Sequence, residues 1–188
     1  ADDTWSVVQT LRVPDTRAAW DTFGWSVAFS DDGTTLVVGS HGDDDNPATT
    51  GIDNDLIDSG AAYVFERNQG GADQWGQIRK LTAPDGAGYD YFGISVDIAA
   101  DTIVIGAPFG GDTDQGGLYV FGRDQGGPDN WGLVKNIDLM GFTGEQAKIG
   151  TYVRVKVTCT VVMFIGSSEQ AVSNQRIEFV LVRHRARC

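Results

Sequence analysis

The sequence predicts an all-β protein built from three four-stranded antiparallel sheets. Three observations support this fold class. Short runs rich in Val, Ile, Tyr and Phe recur in the same order along the chain, clusters of Gly, Asp and Asn separate them, and no stretch shows sustained helical periodicity. Repeats of this length are typical of arrays of small supersecondary units, so function has to be argued from assembled surfaces.

The first two units match position by position over three predicted strands. The matching segments are 23–28, 35–40 and 60–65 in the first unit, and 92–97, 102–107 and 117–121 in the second. In both units a Trp-Gly pair then opens a fourth strand, predicted at 75–81 and at 131–137. Four short strands per unit with this spacing are typical of β-propeller blades.

The turns between the first two strands of each unit also favour antiparallel pairing. Asp32-Gly33 predicts a two-residue hairpin, because Gly tolerates the positive φ that such turns need. Ala99-Ala100-Asp101 takes the same place in the second unit.

The third unit is degenerate and has only three predicted strands, at 149–155, 160–166 and 177–182. The predicted organisation is therefore a single repeat domain. Its parts are an N-terminal strand and linker (1–20), a first blade (21–82) with an acidic insertion (41–59), a second blade (89–137) and a degenerate third blade (138–188).

The two ends of the chain complement each other. The third unit lacks a fourth strand, whereas Trp5–Leu11 resembles the fourth strand Trp75–Leu81 and stands before the first blade. Within one chain this segment could close the last blade and remove an unpaired edge. Between chains it could complete the last blade of the next copy and give a ring or a filament. A third interpretation is a part of a longer propeller. The residues expected to form this assembly strand are Trp5, Val7, Val8 and Leu11.

The net charge of −12 is unevenly placed. From Lys135 onward there are eight basic and four acidic residues, against six basic and 22 acidic residues before it. Such asymmetry can orient copies of one chain, acidic face to basic face, or it can simply be a solubilising surface that ends. A chain this acidic is not expected to bind nucleic acid, and no segment is apolar enough to span a membrane.

Two of the repeated motifs resemble a known family. Phe23-Gly24 with Val37-Val38-Gly39-Ser40, and Phe92-Gly93 with Ile105-Gly106-Ala107-Pro108, are similar to the FG-GAP repeat of integrin α-subunit propellers and of many bacterial secreted proteins. The resemblance implies a propeller-like array on an extracellular or cell-surface protein, used for adhesion, ligand binding or scaffolding. The chain also begins at Ala1 without a charged and apolar leader, as a mature secreted chain would.

Calcium is the candidate cofactor. The resemblance implies Asp-x-Asp-x-Asp-Gly calcium loops between the first two strands, but here that hairpin is too short to carry one. The acidic insertion offers another place, since Asp53, Asp55 and Asp58 can bring carboxylates to one turn without any Lys or Arg in the insertion. A solvated acidic loop is the simpler interpretation.

Catalytic motifs are missing from the sequence. There are two histidines, and there is no nucleophile elbow, zinc-protease helix motif, phosphate-binding glycine loop or Cys-x-x-Cys pair. The sequence therefore predicts a non-enzymatic protein. Two cysteines, Cys159 and Cys188, can form one disulfide, link neighbouring chains or stay free.

The tryptophans divide into two groups. Trp5, Trp75 and Trp131 recur at one position of the repeat and are expected to be packing anchors between blades. Trp25 is expected in the core or between blades, because it stands where the second unit has Ile94. Trp20 lies in a loop, where it could contact a cell-surface protein or a glycan.

Overall fold

The computed structural model of this chain describes residues 6–12, 21–44, 56–111, 116–138, 152–157, 161–166 and 180–184. These residues contain eleven β-strands and no helix, which confirms the all-β prediction. In the described part of the chain, no helix has the length and hydropathy that crossing a membrane requires.

Three antiparallel sheets follow one another along the chain. The first sheet has the order β1 (Ser26–Phe29), β2 (Thr35–Ser40), β3 (Ala61–Arg67) and β4 (Trp75–Leu81). The second sheet has the order β5 (Ser95–Ala99), β6 (Thr102–Ala107), β7 (Gly117–Gly122) and β8 (Gly132–Asp138). The third has three strands in the order β11 (Val180–His184), β10 (Val161–Gly166) and β9 (Tyr152–Val157).

The first two sheets are structural repeats of each other. Both have a β-bulge at the same place between their third and fourth strands, with Ile78 and Val134 as the extra residues. The eight predicted strands are confirmed, as is the two-residue turn in which Ala99 pairs with Thr102. The third sheet forms from the three predicted strands, with β9 lying against β5 and β6. The assignment of the third sheet as a propeller blade stays a prediction.

The turn of the first unit is longer than predicted. Ser30 N donates to Thr35 O at 2.9 Å, so the turn between these two paired residues has four residues, 31–34, and the two-residue hairpin at Asp32-Gly33 is wrong. The Asp32 carboxylate accepts hydrogen bonds from the Ser30 hydroxyl and from Thr34 N, which together lower the pKa of Asp32 to about 2. This side chain therefore stabilises the longer turn.

The predicted N-terminal strand is also wrong in its described part, because residues 6–12 contain no strand. Instead, the Gln9 side chain pairs with the backbone of Trp75 through two hydrogen bonds of 2.8 and 2.9 Å. The side-chain amide of Gln9 thus satisfies the backbone N–H and C=O groups of Trp75 on the outer edge of β4. A neighbouring strand would satisfy them with its own backbone. Leu11 packs against the first sheet, and Trp5 lies outside the described residues.

The first and second sheets pack face to face over one apolar core. The first sheet contributes small side chains such as Val37, Ala62 and Val64, and the second contributes larger ones such as Tyr119 and Trp131. Trp131 is fully buried there, which confirms it as a packing anchor between sheets. A second cluster lies on the opposite face of the first sheet; it is formed by Leu36, Val38, Ala61, Tyr63 and Phe65, with Leu11, Phe23 and Trp75 packed against it.

Glycine allows the two sheets to approach at the start of β5. Gly93 has a φ of 88°, and a Cβ added there would overlap the carbonyl oxygen of Ala61 on the first sheet. Gly24 occupies the same position in the first unit with a φ of 94°, and a Cβ added there would meet no atom within 4 Å. Both positions need glycine for conformation, but only Gly93 needs it for packing.

Arg123, just after β7, joins the two sheets. Its guanidinium donates to Glu66 at 2.5 Å and to Thr35 at 3.0 Å on the first sheet, and to Asp101 at 3.0 Å on its own sheet. The guanidinium carbon also lies 4.7 Å from the centre of the Trp131 ring. The planar guanidinium is suited to this, because it presents several donors in its plane and stacks on an aromatic face.

We predict that Arg123→Ala lowers the free energy of unfolding by about 2–3 kcal/mol, because it removes several charge-assisted hydrogen bonds at a half-buried site. Arg67→Ala is the matched control, since Arg67 has the same position in the first unit but pairs with Asp73 in an exposed ion pair. That change should cost at most about 1 kcal/mol. Urea denaturation measures both, and equal losses would contradict the role given to Arg123.

We predict that Gly93→Ala costs roughly 2–5 kcal/mol, because positive-φ strain adds to a collision with the first sheet. Gly24→Ala should cost about 1–2 kcal/mol, because it carries the conformational strain alone. Thermal or urea unfolding of the two variants gives the difference. A Gly24 variant as unstable as the Gly93 variant would show that a neighbour also covers Gly24.

Candidate interaction site on the first sheet

One face of the first sheet is open where the same face of the second sheet is buried. Val27 and Phe29 on β1 are 60% and 57% exposed. Their equivalents on β5, Val96 and Ile98, are 8% and 3% exposed because the first sheet covers them. This face of the repeat is therefore apolar and packs against a neighbouring sheet in the second unit. In the first unit the same face is exposed to solvent. We call Val27, Phe29 and the cluster beside them the open face.

The open face continues from β1 across the sheet. Its central side chains are equivalent to the large core residues that the second sheet turns towards the first. The equivalent pairs are Leu36 and Ile103, Val38 and Ile105, Tyr63 and Tyr119, Phe65 and Phe121, and Trp75 and Trp131. In the first sheet Leu11 and Phe23 cover part of this cluster, and Trp75 remains half-buried. The coverage is thus partial and is greatest away from β1.

The arginine beside the open face also lacks the contacts between sheets that its equivalent makes in the second unit. Arg123 of the second unit reaches across to the preceding sheet, whereas Arg67 of the first unit folds back onto Asp73 within its own turn. The side chain of Arg67 is therefore half-exposed beside the open face. Sequence reasoning missed both arginines, although the repeated Arg-x-Gln-Gly-Gly stretch marks their positions.

One of the predicted assembly residues, Leu11, lies on the open face. Leu11 is equivalent to Leu81, which belongs to the core between the two sheets, and Leu11 packs correspondingly onto the cluster of the open face. Val7 and Val8 are exposed, and Trp5 lies outside the described residues. Exchange of the N-terminal segment between chains is a prediction that the structure does not test.

In the described residues the third sheet has three strands, one fewer than each of the other two sheets. Its order is β11-β10-β9, so its last strand forms one edge, where β4 and β8 complete the other two sheets. Within the described residues, no strand pairs with the outer side of β11. An unpaired edge of this kind readily accepts another strand.

The structure brings few of the predicted metal ligands together. Asp53 and Asp55 lie outside the described residues. Asp58 lies at the end of the insertion, where its backbone N donates to Asp44 Oδ1 at 2.7 Å. Burial and the nearby charge of Asp44 raise the pKa of Asp58. Among the residues that the structure describes, no three acidic, His or Cys side chains converge as metal ligands would.

Asp43 shows how one carboxylate of the insertion is neutralised. It is buried, accepts a hydrogen bond from the Tyr63 hydroxyl at 2.5 Å, and pairs with Lys80 at 3.0 Å. The insertion has no basic residue of its own, so sequence reasoning missed Lys80, which β4 supplies. Asp43 is therefore a structural group that holds the insertion to the first sheet.

The remaining candidates differ in outcome. Trp25 is 62% exposed, so the prediction that it lies in the core is wrong; its ring contacts His41 with centroids 4.7 Å apart. The local reason is that Trp25 lies on the same side of β1 as Val27 and Phe29, a side that no described sheet covers. Cys159, Cys188 and Trp20 lie outside the described residues, so the disulfide and the contact of Trp20 stay predictions.

Comparison with known proteins agrees with this repeat. No curated protein matches the chain. The family described as FG-GAP repeat matches residues 5–65 and 75–121, which together are more than half of the sequence. The second match begins at Trp75 of β4 and ends in β7, and the first begins at Trp5 and ends in β3. Both matches thus begin at a recurring tryptophan and end in the third strand of a sheet. This chain therefore belongs to the FG-GAP repeat family.

Proposed function

We propose that this protein is a non-enzymatic extracellular interaction module that joins copies of itself through the open face. FG-GAP repeats are typical of extracellular and cell-surface proteins, and the family is generally structural or ligand-binding. The observation that carries the proposal is the contrast between exposed Val27 and Phe29 and their buried equivalents Val96 and Ile98. An apolar face that the repeat buries elsewhere favours association.

Strand exchange and coverage of the open face would form one interface. In this chain a fourth strand leads through a linker into the first strand of the next sheet, as β4 leads into β5. If residues 5–11 of one copy complete the third sheet of another, that sheet lies directly before the first sheet of the donor. It would then cover the open face. Because different surfaces of the two copies meet, the contact is heterologous and gives a ring or a filament.

Charge supports this head-to-tail arrangement. The first two units are strongly acidic, whereas the chain from Lys135 onward has twice as many basic as acidic residues. A contact between the first sheet of one copy and the third sheet of another therefore brings opposite charges together. Such complementarity speeds and orients association.

We predict that Val27→Ser combined with Phe29→Ser abolishes self-association, because two side chains worth about 1.5–3 kcal/mol each lose their burial in the interface. Light scattering over a concentration series measures the mass. Both residues are exposed in the monomer, so the variant should fold normally. Deletion of residues 1–11 should have the same effect on mass.

The matched control is Val134→Ser, which removes an exposed aliphatic residue from β8 of the second sheet. Its mass should equal that of the unmodified protein. An unmodified protein that stays monomeric at high concentration would contradict self-association. Assembly that survives both the double substitution and the deletion would place the interface elsewhere.

The second candidate is a calcium-assisted adhesion or ligand-binding module. Burial and, to a smaller extent, the nearby charge of Asp44 raise the pKa of Asp58. The repulsion between these two carboxylates favours the calcium candidate, because a cation would stabilise both. Asp53 and Asp55 would supply further oxygens. Here the protein would bind a cell-surface protein or a glycan and would not assemble with itself.

If calcium binds, saturating calcium should raise the melting temperature, and a chelator should reverse the change. Ligand at about a hundred times its dissociation constant stabilises the folded state by roughly 2.7 kcal/mol. Asp53→Asn combined with Asp55→Asn should remove the effect, and Asp31→Asn, in the turn at the opposite end of β2, should leave it intact. A melting temperature that changes with neither calcium nor chelator would exclude a calcium site in the acidic insertion.

A further inference from the structure

A small open cavity lies at the end of the second sheet, between the linker from β4 to β5 and the loop after β6. Its lining is Gly88, Tyr89, Asp90, Tyr91 and Phe109, and its volume is about 370 Å³. Three of these five residues are aromatic and one is acidic. This composition is distinct from the open face, whose exposed side chains lie along β1.

The described loops at this end are acidic. Antiparallel order places the described segments 21–25, 41–44, 56–60, 82–94 and 108–111 at the same end of the two sheets. These segments contain six aspartates and no Lys or Arg, and one of the six, Asp43, is paired with Lys80 of β4. The remaining carboxylates favour a cationic ligand over an anionic one.

The aromatic rings are held by one another. Tyr91 contacts Phe109 edge to face, with ring centroids 5.6 Å apart, and His41 on its other side with centroids 5.7 Å apart. His41 in turn contacts Trp25. Tyr89 is 55% exposed and stands at the rim of the cavity.

The backbone under the rings is also fixed. Tyr89 and Tyr91 have φ values of 69° and 55°, a conformation that is uncommon for bulky residues and costs energy. Tyr89 N donates to Ile57 O at 2.7 Å, and Tyr91 N donates to Asp58 O at 3.0 Å. The first unit therefore holds the linker that lines the cavity in this conformation.

Two of these aromatic residues are not required by the repeat. At the positions of Tyr91 and Phe109 the first unit has Thr22 and Gly42. The sheets of the first unit form without rings there, so packing of the repeat does not explain Tyr91 and Phe109.

His41 adds no competing charge. Burial lowers the pKa of His41, against a smaller opposing effect of the Asp58 carboxylate, so the ring is neutral at neutral pH. Its Nδ1 lies 3.0 Å from the Thr22 hydroxyl oxygen, which lies 2.6 Å from the Asp21 carbonyl oxygen. Because the hydroxyl proton points to that carbonyl, we assign the imidazole proton to Nδ1.

We propose that this cavity binds an organic ammonium group, such as the trimethylammonium of choline. The negative faces of aromatic rings attract such cations, and methylated ammonium groups are the ligands that aromatic cages recognise. The buried Asp90 beside the rings adds a negative charge, with its Oδ2 held by Ala87 N at 2.8 Å. The site would be separate from the self-association proposed above, because it uses none of the residues of the open face.

The test is a comparison of choline with 3,3-dimethyl-1-butanol, which has the same shape without the charge. Isothermal titration calorimetry on the full chain should show choline binding at least about tenfold more tightly than the neutral alcohol, because the rings and Asp90 attract charge as well as apolar surface. Equal affinities would overturn the proposal, and so would the absence of choline binding.

Variants locate the binding. Phe109→Leu and Tyr89→Leu should each weaken choline binding by about three- to fivefold, because each removes one aromatic face while keeping an apolar side chain. Phe29→Leu is the matched control, since it removes an exposed ring from the open face, and it should change nothing. Circular dichroism confirms folding. Unchanged affinity in both cavity variants would overturn the assignment to this cavity.

Two further probes distinguish the source of the group. Phosphatidylcholine vesicles and a trimethyl-lysine peptide carry the same cation on a lipid and on a protein. Binding of either one that free choline displaces supports the proposal and names the source. Binding that choline cannot displace, or that Phe109→Leu does not weaken, contradicts it.

Discussion

The packing of this structure depends on the fact that each of the first two sheets has two apolar faces. A sheet with two such faces needs a neighbour on both sides, and the second sheet has the first sheet and β9 as neighbours. The first sheet has the second sheet on one side, and among the described residues only Leu11 and Phe23 pack onto the apolar cluster on its other side. The glycine at position 93, the bridge from Arg123 and the burial of Trp131 all follow from close contact between sheets.

The same constraint explains why equivalent residues behave differently. Gly24 and Gly93, or Arg67 and Arg123, occupy identical positions of the repeat, but only the second of each pair meets a preceding sheet. The first unit is thus an internal control for the second. The open face and Arg67 indicate what kind of partner would fit the first sheet. That partner would be a sheet with small apolar side chains and a hydrogen-bond acceptor near Arg67.

The candidate sites were predictable to different degrees. The packing role of Trp131 was readable, because repeats reveal equivalent positions by comparison. The complementarity of the two chain ends stays a prediction. The exposure of Trp25 and the pairing of Asp43 with Lys80 were not readable, because both depend on which sheet covers which face. The cavity around Tyr91 was hidden for the same reason, since its residues come from a linker and a loop of different strands.

The sequence alone determined the strands, their antiparallel order and the repeat, because alternation and turn residues act over a few neighbouring positions. It also marked the family through Phe-Gly and the glycines that follow. Only the tertiary structure decided that the turn at Asp32 is four residues long, that residues 6–12 form no strand, and that one face of the first sheet stays open. These features depend on contacts between distant segments, and neither local propensity nor periodicity encodes such contacts.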